Sequence, residues 1–225
     1  YEYKTKEVKS KGETYSGIAV DGKSAGSMYA GKIDIISNDR GAGVNTKGDL
    51  VSIDDVTITA SGDITTQKVH STKRVVYKTP KKVRIRKQVT AGEKVVVKAK
   101  KTEVDVDAEV ITGYLKKSLG EEAFETESDE VNIYGKIEAN GKVVINGKST
   151  RNAGQISAAD KVTVNGARLD NSKGEIRSDG KIELNTQSTV NRQGYILSDG
   201  LTKDDIASLE SSRNAESLGN TSEAG

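Results

Sequence analysis

The 225-residue chain contains no cysteine and no tryptophan, and only one proline, one phenylalanine, one methionine and one histidine. The missing cysteines exclude disulfide staples, thiolate metal sites and cysteine nucleophiles. The single histidine, His70, excludes a zinc cluster built from imidazoles, and its place in a lysine-rich stretch predicts an exposed strand position. With 33% apolar and 4% aromatic residues, a wide globular core would be hard to fill. No apolar run approaches the roughly 18 residues of a membrane span. The opening Tyr1-Glu-Tyr-Lys4 is neither an initiator methionine nor a signal peptide, so the chain reads as a soluble fragment of something longer.

What the sequence does have is a period. Asn132-Ile-Tyr-Gly135-Lys-Ile137, Asn152-Ala-Gly154-Gln-Ile156, Asn171-Ser-Lys-Gly174-Glu-Ile176 and Asn191-Arg-Gln-Gly194-Tyr-Ile196 repeat one pattern, with isoleucines 19, 20 and 20 residues apart. A second apolar pair follows each time: Val143 and Ile145, Val162 and Val164, Ile182 and Leu184. Short alternating runs divided by glycine turns at this spacing predict a β-solenoid, whose thin interior is filled by stacked Val, Ile and Leu. Ile137, Ile156, Ile176 and Ile196 are expected in one interior stack and Val143, Val162 and Ile182 in another. Asn132, Asn152, Asn171 and Asn191 are expected to form a polar ladder at a turn.

Residues 1–65 show the same grammar less regularly, in Gly31-Lys-Ile33-Asp-Ile35, Asn45-Thr-Lys-Gly48-Asp-Leu50 and Val56-Thr-Ile58. Residues 66–130 change character. Lys68 to Lys101 holds thirteen Lys or Arg against one acid, Glu93, whereas Thr102 to Glu130 holds ten acids against Lys116 and Lys117. Two oppositely charged halves predict a β excursion off the solenoid, turning at Thr79-Pro80-Lys81 and Thr90-Ala-Gly92-Glu93. Helical spacing of Tyr114, Leu115, Leu119 and Ala123 predicts a short helix leading back. Regular coils are expected over 131–200, and over 201–225 either a capping helix, through Ile206 and Leu209, or a frayed tail.

Gly26-Ser-Met28-Tyr29-Ala30-Gly31-Lys32-Ile33, followed by Gly41-Ala-Gly43-Val44-Asn45, resembles a segment of the filamentous haemagglutinin family, the large exoproteins of two-partner secretion. The four Asn, Gly, Ile repeats are similar to that family's haemagglutinin repeats, so the resemblance spans roughly 17–65 and 131–200. It implies a right-handed parallel β-helix, an outer-membrane secretion pore as partner during export, and display on a Gram-negative surface. A role in adhesion or contact-dependent growth inhibition follows from it, with a host or neighbouring-cell receptor or glycan as the further partner. Asn-Pro-Asn motifs of the family's secretion domain are absent here, so recognition by the pore is not assigned to this segment.

No residue set composes a catalytic site, and no cofactor or metal is implied. Asp34, Asp54 and Asp55 are acidic candidates for sugar cleavage, but the aromatic platforms such a site needs are missing. Ser178-Asp-Gly180 and Ser198-Asp-Gly200 are read as turns rather than calcium sites, which need a denser Gly and Asp array. The basic run, Lys73, Arg74, Lys78, Lys81, Lys82, Arg84, Arg86 and Lys87, has two readings. It can present a stripe to sulfated glycans or another polyanion, without specific nucleic-acid recognition, or it can pair with the acidic half and fix strand register. The leading reading is a structural shaft. A polyanion-binding module acting through residues 68–101 and a bactofilin-like cytoskeletal β-helix are the alternatives.

Overall fold

A β-strand sends successive side chains to opposite faces, so a run such as Val56-Thr-Ile58-Thr-Ala60 can bury every second residue. The computed structural model describes residues 17–22, 26–115 and 122–198, and that alternation recurs through most of them. The first coil is β1 (Ile18–Gly22), β2 (Met28–Ala30) and β3 (Ile33–Ser37), and the second is β4 (Gly43–Thr46), β5 (Leu50–Ser52) and β6 (Val56–Ala60). Two coils follow in which one long strand spans two faces: β7 (Ile64–Ser71) with β8 (Arg74–Lys78), then β9 (Lys82–Ala91) with β10 (Lys94–Lys98). The fifth is β11 (Lys101–Val104), β12 (Glu109–Thr112) and the start of β13 (Ala123–Ile133). Beyond it come β14 (Lys136–Ala139), β15 (Lys142–Asn152), β16 (Gln155–Ala158), β17 (Lys161–Asp170), β18 (Glu175–Ser178), β19 (Lys181–Val190) and β20 (Tyr195–Leu197).

Every pairing between these strands is parallel and joins one coil to the next, giving three long faces around a narrow interior. The first face runs through β1, β4, β7, β9, β11 and then the second halves of β13, β15, β17 and β19. The second runs through β2, β5, β7, β9, β12, β14, β16, β18 and β20. The third runs through β3, β6, β8, β10 and the first halves of β13, β15, β17 and β19. Eight strands stack on this third face, a rise of roughly 34 Å from first to last at the usual strand spacing.

The excursion expected over residues 66–130 is not found. Val83 stands on Ile64 and Thr102 on Val83 in the first face, Val89 on Val69 in the second, and Val95 on Val75 in the third. The charged side chains project outward while Val and Ile keep the interior continuous. What departs from the period is one coil: Thr102 pairs with Val131, 29 residues on, because the chain makes a detour between β12 and β13. Ala123, expected in a helix, opens β13, and Tyr114 and Leu115 lie in a turn. Leu119, the opening residues 1–16 and the stretch 201–225 lie outside the described residues, among which there is no helix.

Stacking like on like lets so few large side chains suffice. On the second face Leu50, Val69, Val89, Val110, Ile137, Ile156, Ile176 and Ile196 form one column. Beside it runs a column of small residues, Ser52, Ser71, Ala91, Thr112, Ala139, Ala158 and Ser178, which leaves room for the third face to approach. On the third face Val143, Val162 and Ile182 continue a column that includes Phe124. Tyr77 is the other large interior ring; its hydroxyl meets Thr66 Oγ1 at 3.2 Å, and burial pushes its pKa upward.

Ile176 is fully buried, so Ile176→Asp would place a carboxylate in an aliphatic stack with no partner. The coils from β17 to β20 are expected to lose hydrogen-exchange protection together, at a midpoint well below that of the amino-terminal coils. An unchanged melting curve would refute the interior role.

Candidate functional site

Parallel register decides where each charge goes, because a residue on one coil stands beside its counterpart 19 or 20 positions away. The basic run therefore wraps around the solenoid instead of forming one stripe. Lys73 and Arg74 sit between the second and third faces, on the coil above Asp54 and Asp55. Lys73 Nζ lies 2.9 Å from Asp54, and Arg74 donates through Nε and Nη2 to the two oxygens of Asp55 at 3.1 and 2.6 Å. These bonds hold the Asp55 carboxyl below its ordinary range. Lys78, Lys81 and Lys82 gather where the third face turns into the first. Arg84 points out from the first face, and its Nε is 3.2 Å from Glu103 and 2.9 Å from Asp105. Arg86 and Lys87 are exposed where the first face turns into the second.

The acidic half is the next coil on top of the basic one. Glu103 stands on Arg84, Glu127 on Lys98 and Glu130 on Lys101. Lys101 Nζ reaches Glu130 at 2.8 Å, Lys98 reaches Glu127 at 3.4 Å, and Lys94 reaches Glu125 at 3.6 Å. The Lys101 bond, joined by Asn132 Nδ2 at 2.7 Å, lowers the pKa of Glu130. Each such exposed pair is worth roughly 0.2–1 kcal/mol, less than one buried isoleucine contributes. Sequence reasoning missed that Lys98, Lys100 and Lys101 join Lys78, Lys81 and Lys82 at one corner. The signal was the offset itself, since Lys98 pairs with Lys78 and Lys101 with Lys82.

Two amide ladders run along the carboxyl-terminal coils. In the interior, Asn152 Nδ2 donates to Asn171 Oδ1 at 2.7 Å, and Asn171 Nδ2 to Asn191 Oδ1 at 2.7 Å. Asn132 is not a rung: Ile133 is the residue that Asn152 stands on, while Asn132 points outward beside Arg151 and binds Glu130. Its Asn-x-x-Gly spacing copies the later repeats, but the column at that coil is still aliphatic. At the turns below the last two rungs, Lys173 and Gln193 adopt positive φ of 65° and 55°. The glycine after Lys173 is sterically required, because a Cβ on Gly174 would collide with the Asn152 carbonyl and the Asn171 side chain. A second, outer ladder links Asn146, Asn165 and Asn185, with Asn165 donating to Asn146 at 2.7 Å and Asn185 to Asn165 at 2.8 Å.

Of the remaining candidates, Asp34 pairs with Lys32 at 3.1 Å on the third face, one coil from Asp55, whose carbonyl accepts from the Ile33 N–H at 3.0 Å, and Asp54 and Asp55 are each taken by a cation. At Ser178-Asp-Gly180 the Gly180 N–H donates to Ser178 Oγ at 3.2 Å and Asp179 faces Arg177, which makes it a turn. Its counterpart at 198–200 is described only at Ser198. His70 is half-buried rather than exposed, because Tyr114 from the detour packs on it, with ring centres 5.2 Å apart and the Tyr114 hydroxyl 3.1 Å from Nε2. Among the described residues, no group of three or more His, Asp or Glu is placed to hold a metal ion.

Glu183 is paired twice, 2.7 Å from Lys161 and 2.8 Å from Lys181, and those hydrogen bonds hold its pKa at about 2. Its folded-state pKa lies below the ordinary 4.5, so its stabilising contribution is complete above that value and is lost as pH falls toward 2. Asp55, Glu130 and Asp170 are shifted in the same direction. Acid titration of thermal stability is therefore expected to show a decline over this window, shallower in Glu183→Gln than in the parent chain. Parallel profiles for the two proteins would remove Glu183 from the account.

Residues 9–68 and 86–212 match the haemagglutinin repeat family. No curated protein and no solved structure matches the chain. The two matched blocks take in most of the sequence, including the acidic coil between β11 and β13, and the interval between them falls in the basic coils. Together with an unbroken parallel solenoid, this shows that the chain belongs to the haemagglutinin repeat family.

Proposed function

We propose that this segment is part of the shaft of a secreted, surface-displayed exoprotein, holding a distal adhesive or growth-inhibiting element away from the cell. The observation that carries this reading is the continuity of parallel register from β1 to β20 through coils of very different charge. A structure whose length grows by one strand spacing per coil, with its side chains satisfied by neighbouring coils, is suited to span distance. Export through an outer-membrane pore as an unfolded chain fits the same features. The absence of cysteine removes covalent cross-links that would block threading, and each coil can fold on the one already outside. The parent protein's receptor or target would then belong to its distal part.

A shaft tolerates changes of length in whole coils. Lys161 stands on Lys142, so deletion of residues 142–160 joins Gly141 to Lys161 with every column in register. The shortened chain is expected to fold with a maximum dimension about 5 Å smaller by small-angle scattering. In the parent exoprotein the distal activity should persist after the same deletion. Loss of that activity in a protein that is still exported and folded would overturn the shaft reading.

A further inference from the structure

The chain enters its detour between β12 and β13 at Gly113 and leaves it at Glu122, and both residues meet one dipeptide of the next coil. Asn140 Nδ2 donates to the Gly113 carbonyl at 2.8 Å, and the Asn140 N–H donates to the Thr112 carbonyl at 3.1 Å. Gly113 has a φ of 76°, and a Cβ there would stand 2.6 Å from the Asn140 Cβ and 2.9 Å from the Glu122 Cγ, so the Asn140 and Glu122 side chains close over it. Glu122 is buried, and its carbonyl accepts from the Lys142 N–H at 2.9 Å. A Cβ on Gly141 would lie 2.2 Å from that same oxygen. Asn140-Gly141 is thus a clasp across the two ends of the detour.

The clasp is also a reactive pair, because a glycine after asparagine leaves its backbone nitrogen unshielded and able to reach the asparagine Cγ. Three Asn-Gly dipeptides occur in the chain, at 140, 146 and 165. Asn146-Gly147 lies inside β15 and Asn165-Gly166 inside β17, held extended by the strands beside them, with their side chains joined in the outer ladder. Asn140-Gly141 lies in the turn between β14 and β15, and Asn140 is exposed. The Asn140 carbonyl and the Gly141 N–H belong to the peptide unit that has to rotate, and neither makes a hydrogen bond among the described residues.

We propose that Asn140-Gly141 is a site of spontaneous deamidation that opens this clasp. The Gly141 nitrogen gives up its proton to hydroxide and attacks the Asn140 Cγ; the bond from Cγ to Nδ2 breaks and ammonia leaves. Water then opens the five-membered imide at either carbonyl, leaving aspartate or isoaspartate at position 140. Both products replace the donor to Gly113 by a carboxylate, set against the Gly113 carbonyl and beside the Glu122 carboxyl group. The end of β12 and the start of β13 lose their tie, while the aliphatic columns beneath are untouched. The chemistry is independent of whether the rod serves as a shaft.

The folded chain is held at mildly alkaline pH and sampled over time, and peptide mapping by mass spectrometry follows the conversion of amide to acid at each Asn-Gly pair. Each rate is divided by that of the same pair in chain unfolded by denaturant. The ratio at Asn140 is expected to exceed those at Asn146 and Asn165 by about tenfold or more, because strand hydrogen bonds must break before the other two can react. Comparable ratios at the three pairs, or a larger one at Asn146 or Asn165, would overturn the assignment. Asn140→Asp carries the product's charge without waiting for the reaction. It is expected to lose hydrogen-exchange protection at Gly113 and Ala123, whose N–H groups donate to Ala91 and Glu93, and to keep it at Ile176. Unchanged protection at Gly113 and Ala123 in this variant would overturn the clasp.

Discussion

Parallel hydrogen bonding between coils is the constraint on which everything else in this molecule depends. It sets each residue beside its counterpart one coil away and does so on three faces at once, so the environment of a side chain is mostly written by the residue 19 or 20 places before it and after it. An aliphatic column, once begun, is stabilised by every further aliphatic rung. A polar column is tolerable in the interior only if its members satisfy one another. The interior of this chain contains both kinds, and neither needs the breadth of core that its composition could not have filled.

The same constraint turns net charge into a local matter. Thirteen cations followed by ten acids would repel within each half if the halves lay apart. Placed on successive coils, they meet at one strand spacing, and Arg84, Lys94, Lys98 and Lys101 are each matched by an acid of the next coil. Cations are left over chiefly where two basic coils are stacked, as at Lys78 beneath Lys98 and Lys82 beneath Lys101. The result is a surface nearly neutral in sum but locally patterned, with the pattern set by corner geometry more than by the order of charges along the chain.

Much of this was legible from sequence wherever corners were marked by Asn and Gly. Ile137, Ile156, Ile176 and Ile196 share a spacing with the turns beside them, and both signals agree with the stack. Between Ile64 and Thr112 several corners, Thr72-Lys73, Thr79-Pro80-Lys81 and Ala99-Lys100, lack both Asn and Gly, and charge hid an aliphatic spacing that was equally regular in Val56, Val75 and Val95. Asn132 shows the reverse error, a correct motif one position out of phase with the column it was assigned to. In a strand, one position exchanges inside for outside, and motif spacing alone does not fix that phase. The clasp at Asn140 was beyond reach for another reason: it joins Gly113 and Glu122 across the detour, and only the fold brings the three together.

The two amide ladders run in opposite senses. Inside, each asparagine passes its N–H toward the carboxyl-terminal end of the rod; outside, each passes it back toward the amino-terminal end. Side-chain amides aligned in one direction would add their dipoles, as peptide units do along a helix. Here the two lines oppose each other over the same coils, so their axial components largely cancel. Further coils bearing both ladders could extend the rod without polarising it, and its two ends would not acquire opposite electrostatic character merely because it had grown.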